Sequence, residues 1–378
     1  MTTVNKVFLF LAVLTFFGCN HITSTEPVTY QAGFKVVRMV DRTRIYKPNT
    51  DTTDYLHFRP IDIDVWYPAN TAQTDSALNF KYFLDLFGRR ANYYTASKAG
   101  DSLAAQFGKS FCDGFKCSTS TKLFGYKTGS YKDAKPAEGK FPLIVYLASF
   151  NGMGYENSIL LEELAKKGFV VVSLSSIGRY PGDMSMKNGD MMEQVNDALA
   201  ALKQLKNSPD IDFSNIGVLG YSWGGVSGAM LAAATPGVKC LISFEGSEFH
   251  HYNYDKNEDA DFDGIKNSPA FKKMALNVPY LRFESSPLSK DTKKDSAYNF
   301  TEKLSANRLI LKVDSAEHQD FCSLPVVTRL SGNCPKGGLY DTVCALTISY
   351  LQEHLQNKQE FSQALNQVMD KKVRAVKK

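Results

Sequence analysis

The chain of 378 residues has no low-complexity tract and no repeat with a period of about 20–50 residues, which excludes solenoids, propellers and fibrous folds. Its 7 cysteines include no C-x-x-C pair with nearby histidines, so a structural zinc site is not expected. With 6 histidines, candidates for a general base are few. Positive charge is in excess only nominally. The formal net charge is +5, and Lys371, Lys372, Arg374, Lys377 and Lys378 alone supply it. The rest of the chain balances, so no basic face argues for nucleic acid as a partner. What remains is an ordinary globular composition, 43% hydrophobic and 22% charged, in a chain long enough for one large core with an appendage.

The run Val7 to Phe17 follows Lys6 and is too short to span a bilayer as a helix. It has the shape of a secretory signal peptide over residues 1–18. Gly18-Cys19 at its end resembles the lipobox of bacterial lipoproteins, although Phe16 and Phe17 depart from that motif. Lipidation at Cys19 is therefore expected, with 19–33 as a polar tether and an exported location. That location is the cell envelope, facing the periplasm or the cell surface, or simple secretion. Residues 359–378 read as a basic, solvated tail with at most weak attraction to anionic lipid. An exported chain with six further cysteines favours disulfides. Cys112 and Cys117 are the expected pair, a bridge among Cys322, Cys334 and Cys344 is plausible by position, and Cys240 reads as a buried thiol.

Residues 34–75 look like antiparallel β structure, because Ile61, Ile63, Val65 and Tyr67 alternate with Asp62, Asp64 and Trp66. Over 76–109 the spacing turns helical, with Phe80, Phe83, Leu84 and Phe87 on one face, either facing the core or forming a lid. Residues 112–140 read as loop. From 141 onward, apolar runs alternate with helical stretches. The strands are expected at 143–147, 169–174, 216–221, 238–244, 280–283 and 309–313. The helices are expected at 156–167, 187–207, 224–235, 269–277, 292–305 and 340–356. This alternation means βαβ units and a mostly parallel sheet with helices on both faces. The domain is expected to span 34–358, with 76–140 and 246–268 as insertions, the second a polar flap.

Gly220, Ser222 and Gly224 spell G-x-S-x-G. An apolar strand leads in and an alanine-rich helix leads out, the arrangement of the nucleophile elbow of α/β-hydrolases. Ser222 is the expected nucleophile, and the glycines around it allow close approach of strand and helix. A serine hydroxyl needs a base, a group to orient that base, and donors for the oxyanion. Of the histidines after Ser222, His318 follows the last predicted core strand and is the expected base. His354 falls in the terminal helix, and His250 and His251 fall in the flap. The acid stays open between Glu245, at the end of one strand, and Glu284 or Asp291, at or near the end of the next. One oxyanion donor is the amide of Trp223; the other lies in the loop 148–154, at Phe150 or Asn151. Asp259, Asp261, Asp263 and Gly264 spell the start of a calcium loop, but the twelfth position is Ala270 where a glutamate is required. No metal is therefore expected there.

Pro142–Phe169, Gly220–Gly225, Cys240–Gly246 and Ser315–Phe321 together resemble the platelet-activating-factor acetylhydrolase and dienelactone-hydrolase-like branch of the α/β-hydrolases, as does the run at 59–69. The resemblance covers most of 59–321. It implies Glu245 as the acid and Phe150 as the second oxyanion donor. The chain departs from that branch in having Glu245 where the branch has aspartate, and Ala148-Ser149 where it has His-Gly. The reading is an exported serine hydrolase cleaving short-chain or acetyl esters through a Ser222-His318-Glu245 triad. No cofactor is required, and the expected partners are a small-molecule ester and, through Cys19, a membrane. A monomer is expected. A serine peptidase on the same fold and a non-catalytic ligand-binding lipoprotein are the rival readings.

Overall fold

A computed structural model describes residues 29–378 except 73–74, 92–99, 116–118, 179–183, 252–255, 288–292, 295–299, 332–337, 370, 372 and 377–378. The segment carrying the expected signal and Cys19 lies outside the described residues, as do Cys117, Cys334 and Asp291.

A 12-stranded sheet organises the chain. Six strands run parallel in the spatial order Arg308–Asp314, Tyr280–Ser286, Val238–Phe244, Ile211–Tyr221, Phe141–Leu147, Val170–Leu174. Phe58–Asn70 joins antiparallel beside Val170–Leu174, and Gln31–Ile45 pairs antiparallel with it. At the opposite edge Val373–Ala375 pairs antiparallel with Arg308–Asp314. This is the α/β-hydrolase fold, and each predicted core strand is present within a few residues of its expected bounds. Side chains alternate between two cores. Ile144 and Tyr146 face one, with the helices Ser158–Lys166 and Leu339–Gln356; Leu143, Val145 and Leu147 face the other, with Asn188–Leu205 and Trp223–Ala234. Burying each such aliphatic side chain contributes roughly 1.5–3 kcal/mol. That is why near-continuous apolar strands demand cover on both faces.

The period-two strand Phe58–Asn70 is also covered on both sides. Asp64 and Trp66, on the face opposite Ile63 and Val65, are fully buried. The helix Phe80–Ala91 provides the cover. Phe83 packs on Phe34 at 5.1 Å and stacks on Tyr155 at 5.5 Å, so the aromatic stripe faces the core. Arg90 at the end of this helix pairs with Asp64 through Nη1 (3.0 Å) and Nη2 (2.5 Å), and reaches Asp62 at 3.2 Å. Burial raises the Asp64 carboxyl pKa against the pull of Arg90. Removing one member of a buried pair leaves an uncompensated charge. Arg90→Ala should therefore cost about 3–5 kcal/mol, read as a lower urea midpoint, and adding Asp64→Leu should recover part of it.

Several expectations change. Residues 112–140 are not all loop: Ser120–Gly125 is helical and Lys127–Lys132 is a strand pairing with Gln31–Ile45. The polar flap is structured, because Lys256–Asn267 is a helix whose Phe262 and Ile265 are buried. On that helix Asp259 and Asp263 share a face while Asp261 points elsewhere, so the three cannot converge on calcium. No metal-binding cluster occurs among the described residues. Within 292–305 the described part is a short pairing at Lys293–Lys294 and a 3₁₀ turn, Phe300–Lys303, rather than a long helix. The C-terminal tail folds back as the helix Phe361–Val368 and the edge strand, with Val373 fully buried. Cys322 and Cys344 are buried free thiols, so no bridge joins them; Cys240 is a buried thiol as expected. Burial pushes the Cys322 thiol up to about 12, which makes it inert.

Candidate active site

The strand Ile211–Tyr221 ends in a sharp turn at Ser222, whose φ of 55° and ψ of −117° lie far from ordinary L-residue geometry. Such a conformation costs of order 1–3 kcal/mol and persists only when the surroundings enforce it. Here three backbone bonds do so. The Ser222 amide donates to the Phe244 carbonyl (3.0 Å), and the Ser222 carbonyl accepts from Gly225 (3.0 Å) and Ser247 (2.9 Å). A Cβ at Gly220 would lie 2.0 Å from the Gly224 carbonyl oxygen, and one at Gly224 would lie 2.0 Å from that of Leu147. Those two glycines are steric requirements of the turn; Gly228 has room for a methyl, its nearest contact being 3.4 Å.

Glu245 follows the strand Val238–Phe244 and also has a positive φ, 43°. Its Oε2 lies 2.7 Å from His318 Nδ1. Its Oε1 accepts from the Ser285 amide at 3.0 Å and from the Ser285 hydroxyl. Burial works to raise the Glu245 pKa, but the bonds from His318 and Ser285 outweigh it and hold the carboxyl below its ordinary value. The rival Glu284 is fully buried on Arg282, its Oε1 accepting from Arg282 Nε at 2.9 Å. The structure thus brings Glu245 to His318 and takes Glu284 into a different ion pair.

His318 opens the 3₁₀ turn His318–Phe321, which a capping box between Glu317 and Asp320 closes. Tyr221, the residue before Ser222, holds it twice. The tyrosine ring stacks on the imidazole at 5.1 Å, and its hydroxyl donates to the His318 carbonyl at 3.1 Å. The imidazole is therefore fixed by the nucleophile strand on its face and by Glu245 on its edge. Tyr221 and Ser285 are supports that the sequence reading missed. Tyr221 lies inside the elbow motif at its unspecified position, and nothing local marks Ser285. His354 stacks on Tyr350 at 4.1 Å in the helix Leu339–Gln356, which Phe361–Val368 follows, so it is helical as expected but not in the last helix.

Trp223 begins the helix after the elbow, so its amide sits at the helix's positive end. Across from it is the loop 148–154. In that loop the Ser149 amide donates to Glu156 Oε1 (2.8 Å), the Asn151 amide to Met184 Sδ (3.4 Å), and the Gly152 amide to the Ser149 carbonyl (2.8 Å). Of Phe150 and Asn151, it is Asn151 whose amide is engaged. The Phe150 ring packs edge-on against Trp223 at 5.6 Å. The Trp223 indole is fully buried, against Phe262 on its other side at 6.1 Å, so of the two aromatic residues only Phe150 can border a pocket. A cavity of about 850 Å³ lies on the other flank of the histidine turn, lined among others by Ser315, Asp320, Glu162, Arg329 and Tyr340, and Ser222 is not part of its wall.

Comparison with known proteins agrees with this class. Residues 115–262, less than half of the chain, match the model of the X-Pro dipeptidyl-peptidase (S15) family. The match includes Ser222 and Glu245 and stops before His318. Among solved structures the chain is similar to a ferulic acid esterase from Streptomyces cinnamoneus. Identity is 19%, the TM-score is 0.61, and the alignment covers 93% of this chain and 98% of that one. Comparison with curated proteins gives no match. The chain has the α/β-hydrolase fold, and the serine, histidine and carboxylate gathered at its strand ends are of the types a serine hydrolase uses. The matches do not single out the platelet-activating-factor acetylhydrolase branch within that fold.

Proposed function

We propose that the protein is an exported esterase in which Ser222 attacks the carbonyl carbon of a carboxylic ester. His318 accepts the hydroxyl proton and returns it to the departing alcohol; a water then hydrolyses the acyl-serine by the reverse proton path. Glu245 holds His318 in the tautomer that carries its proton on Nδ1. The amides of Trp223 and Phe150 receive the oxyanion. The observation that carries this reading is the 2.7 Å contact between Glu245 and His318 Nδ1, beside a serine in a strained elbow. Export and attachment through Cys19 rest on residues 6–19 of the sequence alone, as does the acetyl- or short-chain ester class on the resemblance to the acetylhydrolase branch. Phe150 at the edge of the site supports a shallow acyl pocket. No step of this chemistry calls for a cofactor.

The S15 match supports a second reading, hydrolysis of a peptide amide after proline. Purified protein should be given p-nitrophenyl acetate, butyrate and palmitate beside an aryl amide of an X-Pro dipeptide. The proposal expects kcat/KM to fall from acetate to palmitate by roughly tenfold or more, with the amide far slower than the acetate. An amide rate exceeding that of every ester would hand the function to the peptidase reading. No turnover of either, with no labelling by a fluorophosphonate probe, would favour a binding protein.

A further inference from the structure

The buried carboxylate of Glu156 has no role in the triad, yet it sits at the junction of the two loops that the chemistry needs. The residue is 3% exposed. Oε1 accepts from the Ser149 amide at 2.8 Å and from the Tyr146 hydroxyl at 2.9 Å, and Oε2 accepts from the Ser149 hydroxyl at 2.6 Å. Ser149 immediately precedes Phe150. The main chain of the same residue reaches the other loop: the Glu156 carbonyl accepts from the Ser323 amide (3.1 Å) and hydroxyl (2.9 Å). Asn157 extends the bridge, its Nδ2 donating to the Phe321 carbonyl at 3.1 Å. One dipeptide therefore ties the oxyanion loop to the histidine turn.

We propose that Glu156 is a positioning residue of the hydrolase, and that only its ionised form aims the Phe150 amide at the oxyanion. This inference rests on the esterase reading above. Three donors converge on two oxygens. Protonation would turn Oε2 into a donor, which the Ser149 hydroxyl can meet only by reversing its own role, and would leave the Ser149 amide and the Tyr146 hydroxyl on a neutral oxygen, weakening the charge-assisted bonds that hold the residue before Phe150. The titratable groups facing Glu156 are Tyr146, Tyr155 and Cys322, and burial pushes each of them upward, so all stay neutral in the working range. No cation is among the groups that stabilise the carboxylate. Burial, opposed only by the hydroxyl and amide donors, brings Glu156 to about 7. A carboxylate with a raised pKa supports the reaction above that value and fails below it. Hydrolysis would then need two groups unprotonated, His318 and Glu156. The acid limb of log kcat against pH should approach a slope of two.

The test is the pH dependence of kcat and KM for p-nitrophenyl acetate in wild type, Glu156→Gln and Ser149→Ala, with thermal melting as a check on folding. Glu156→Gln should lower kcat roughly tenfold to hundredfold, the scale of a weakened oxyanion donor. KM should stay within about twofold, since the group acts on the transition state, and the acid limb should fall to a slope of one. Ser149→Ala removes a single donor to the carboxylate, so the second ionisation should move upward in pH. It keeps the question open to refutation if the glutamine variant fails to fold. An active wild type whose acid limb has a slope of one, or whose limb is unmoved by Ser149→Ala, would overturn the inference. A wild type that hydrolyses no ester would instead overturn the esterase reading itself.

Discussion

Ser222→Ala should abolish ester hydrolysis while leaving the fold intact. Loss of a serine nucleophile costs on the order of 10⁴- to 10⁶-fold in kcat, because the base then has no nucleophile to activate. His318→Ala should cost about as much, and the double variant scarcely more than either, since the two act as one unit. Fluorophosphonate labelling should disappear in both. The strain at Ser222 adds a second readout. Its φ of 55° is more easily adopted by glycine. Ser222→Gly should therefore be inactive and also more stable than wild type, by on the order of 1 kcal/mol. Retained hydrolysis in Ser222→Ala, or a Ser222→Gly protein that melts lower, would contradict this account of the elbow.

Glu245→Gln is expected to have the next largest effect, on the order of 10²- to 10⁴-fold in kcat with nearly unchanged geometry. A neutral amide facing Nδ1 can hold the imidazole in the wrong tautomer and cannot stabilise the imidazolium that forms. Because Glu245 is held below its ordinary pKa, it stays ionised across the neutral range. It should contribute no limb of its own to the pH profile there. Glu284→Gln serves as the comparison. It weakens a buried pair with Arg282 and should lower stability with far less effect on kcat per folded molecule. If Glu284→Gln removed the activity and Glu245→Gln did not, the assignment of the acid would be reversed.

The elbow could be read from the sequence because its signal is local: a strand, a turn built on glycines and a helix within about twenty residues. The parallel strands were readable for a related reason, since cover on both faces makes them continuously apolar. The acid was not readable from spacing. Glu245 and Glu284 both stand at the C-terminal ends of adjacent parallel strands, and only the partner of each carboxylate tells them apart. Glu156 was invisible for a similar reason, because its role is defined by Ser149, Tyr146 and Ser323 in three dimensions. In two regions composition misled. Gly, Lys and Ser in 112–140 concealed the helix Ser120–Gly125. The acidic letters of 259–264 concealed a helix whose buried Phe262 and Ile265, three residues apart, were the signal to weigh.

The strand Val373–Ala375 has a consequence for how the protein behaves in solution. Without it, Arg308–Asp314 would end the sheet with a row of unpaired amides and carbonyls, a template for association with other chains. Its pairing covers that edge, and Arg374 adds an ion pair to Asp314 and a bond to Ser286 Oγ at 3.1 Å. Arg308–Asp314 is also the strand from which the histidine turn hangs. Proteolytic trimming of the last few residues would thus uncover a sheet edge open to other chains and loosen the turn that carries His318 in a single event.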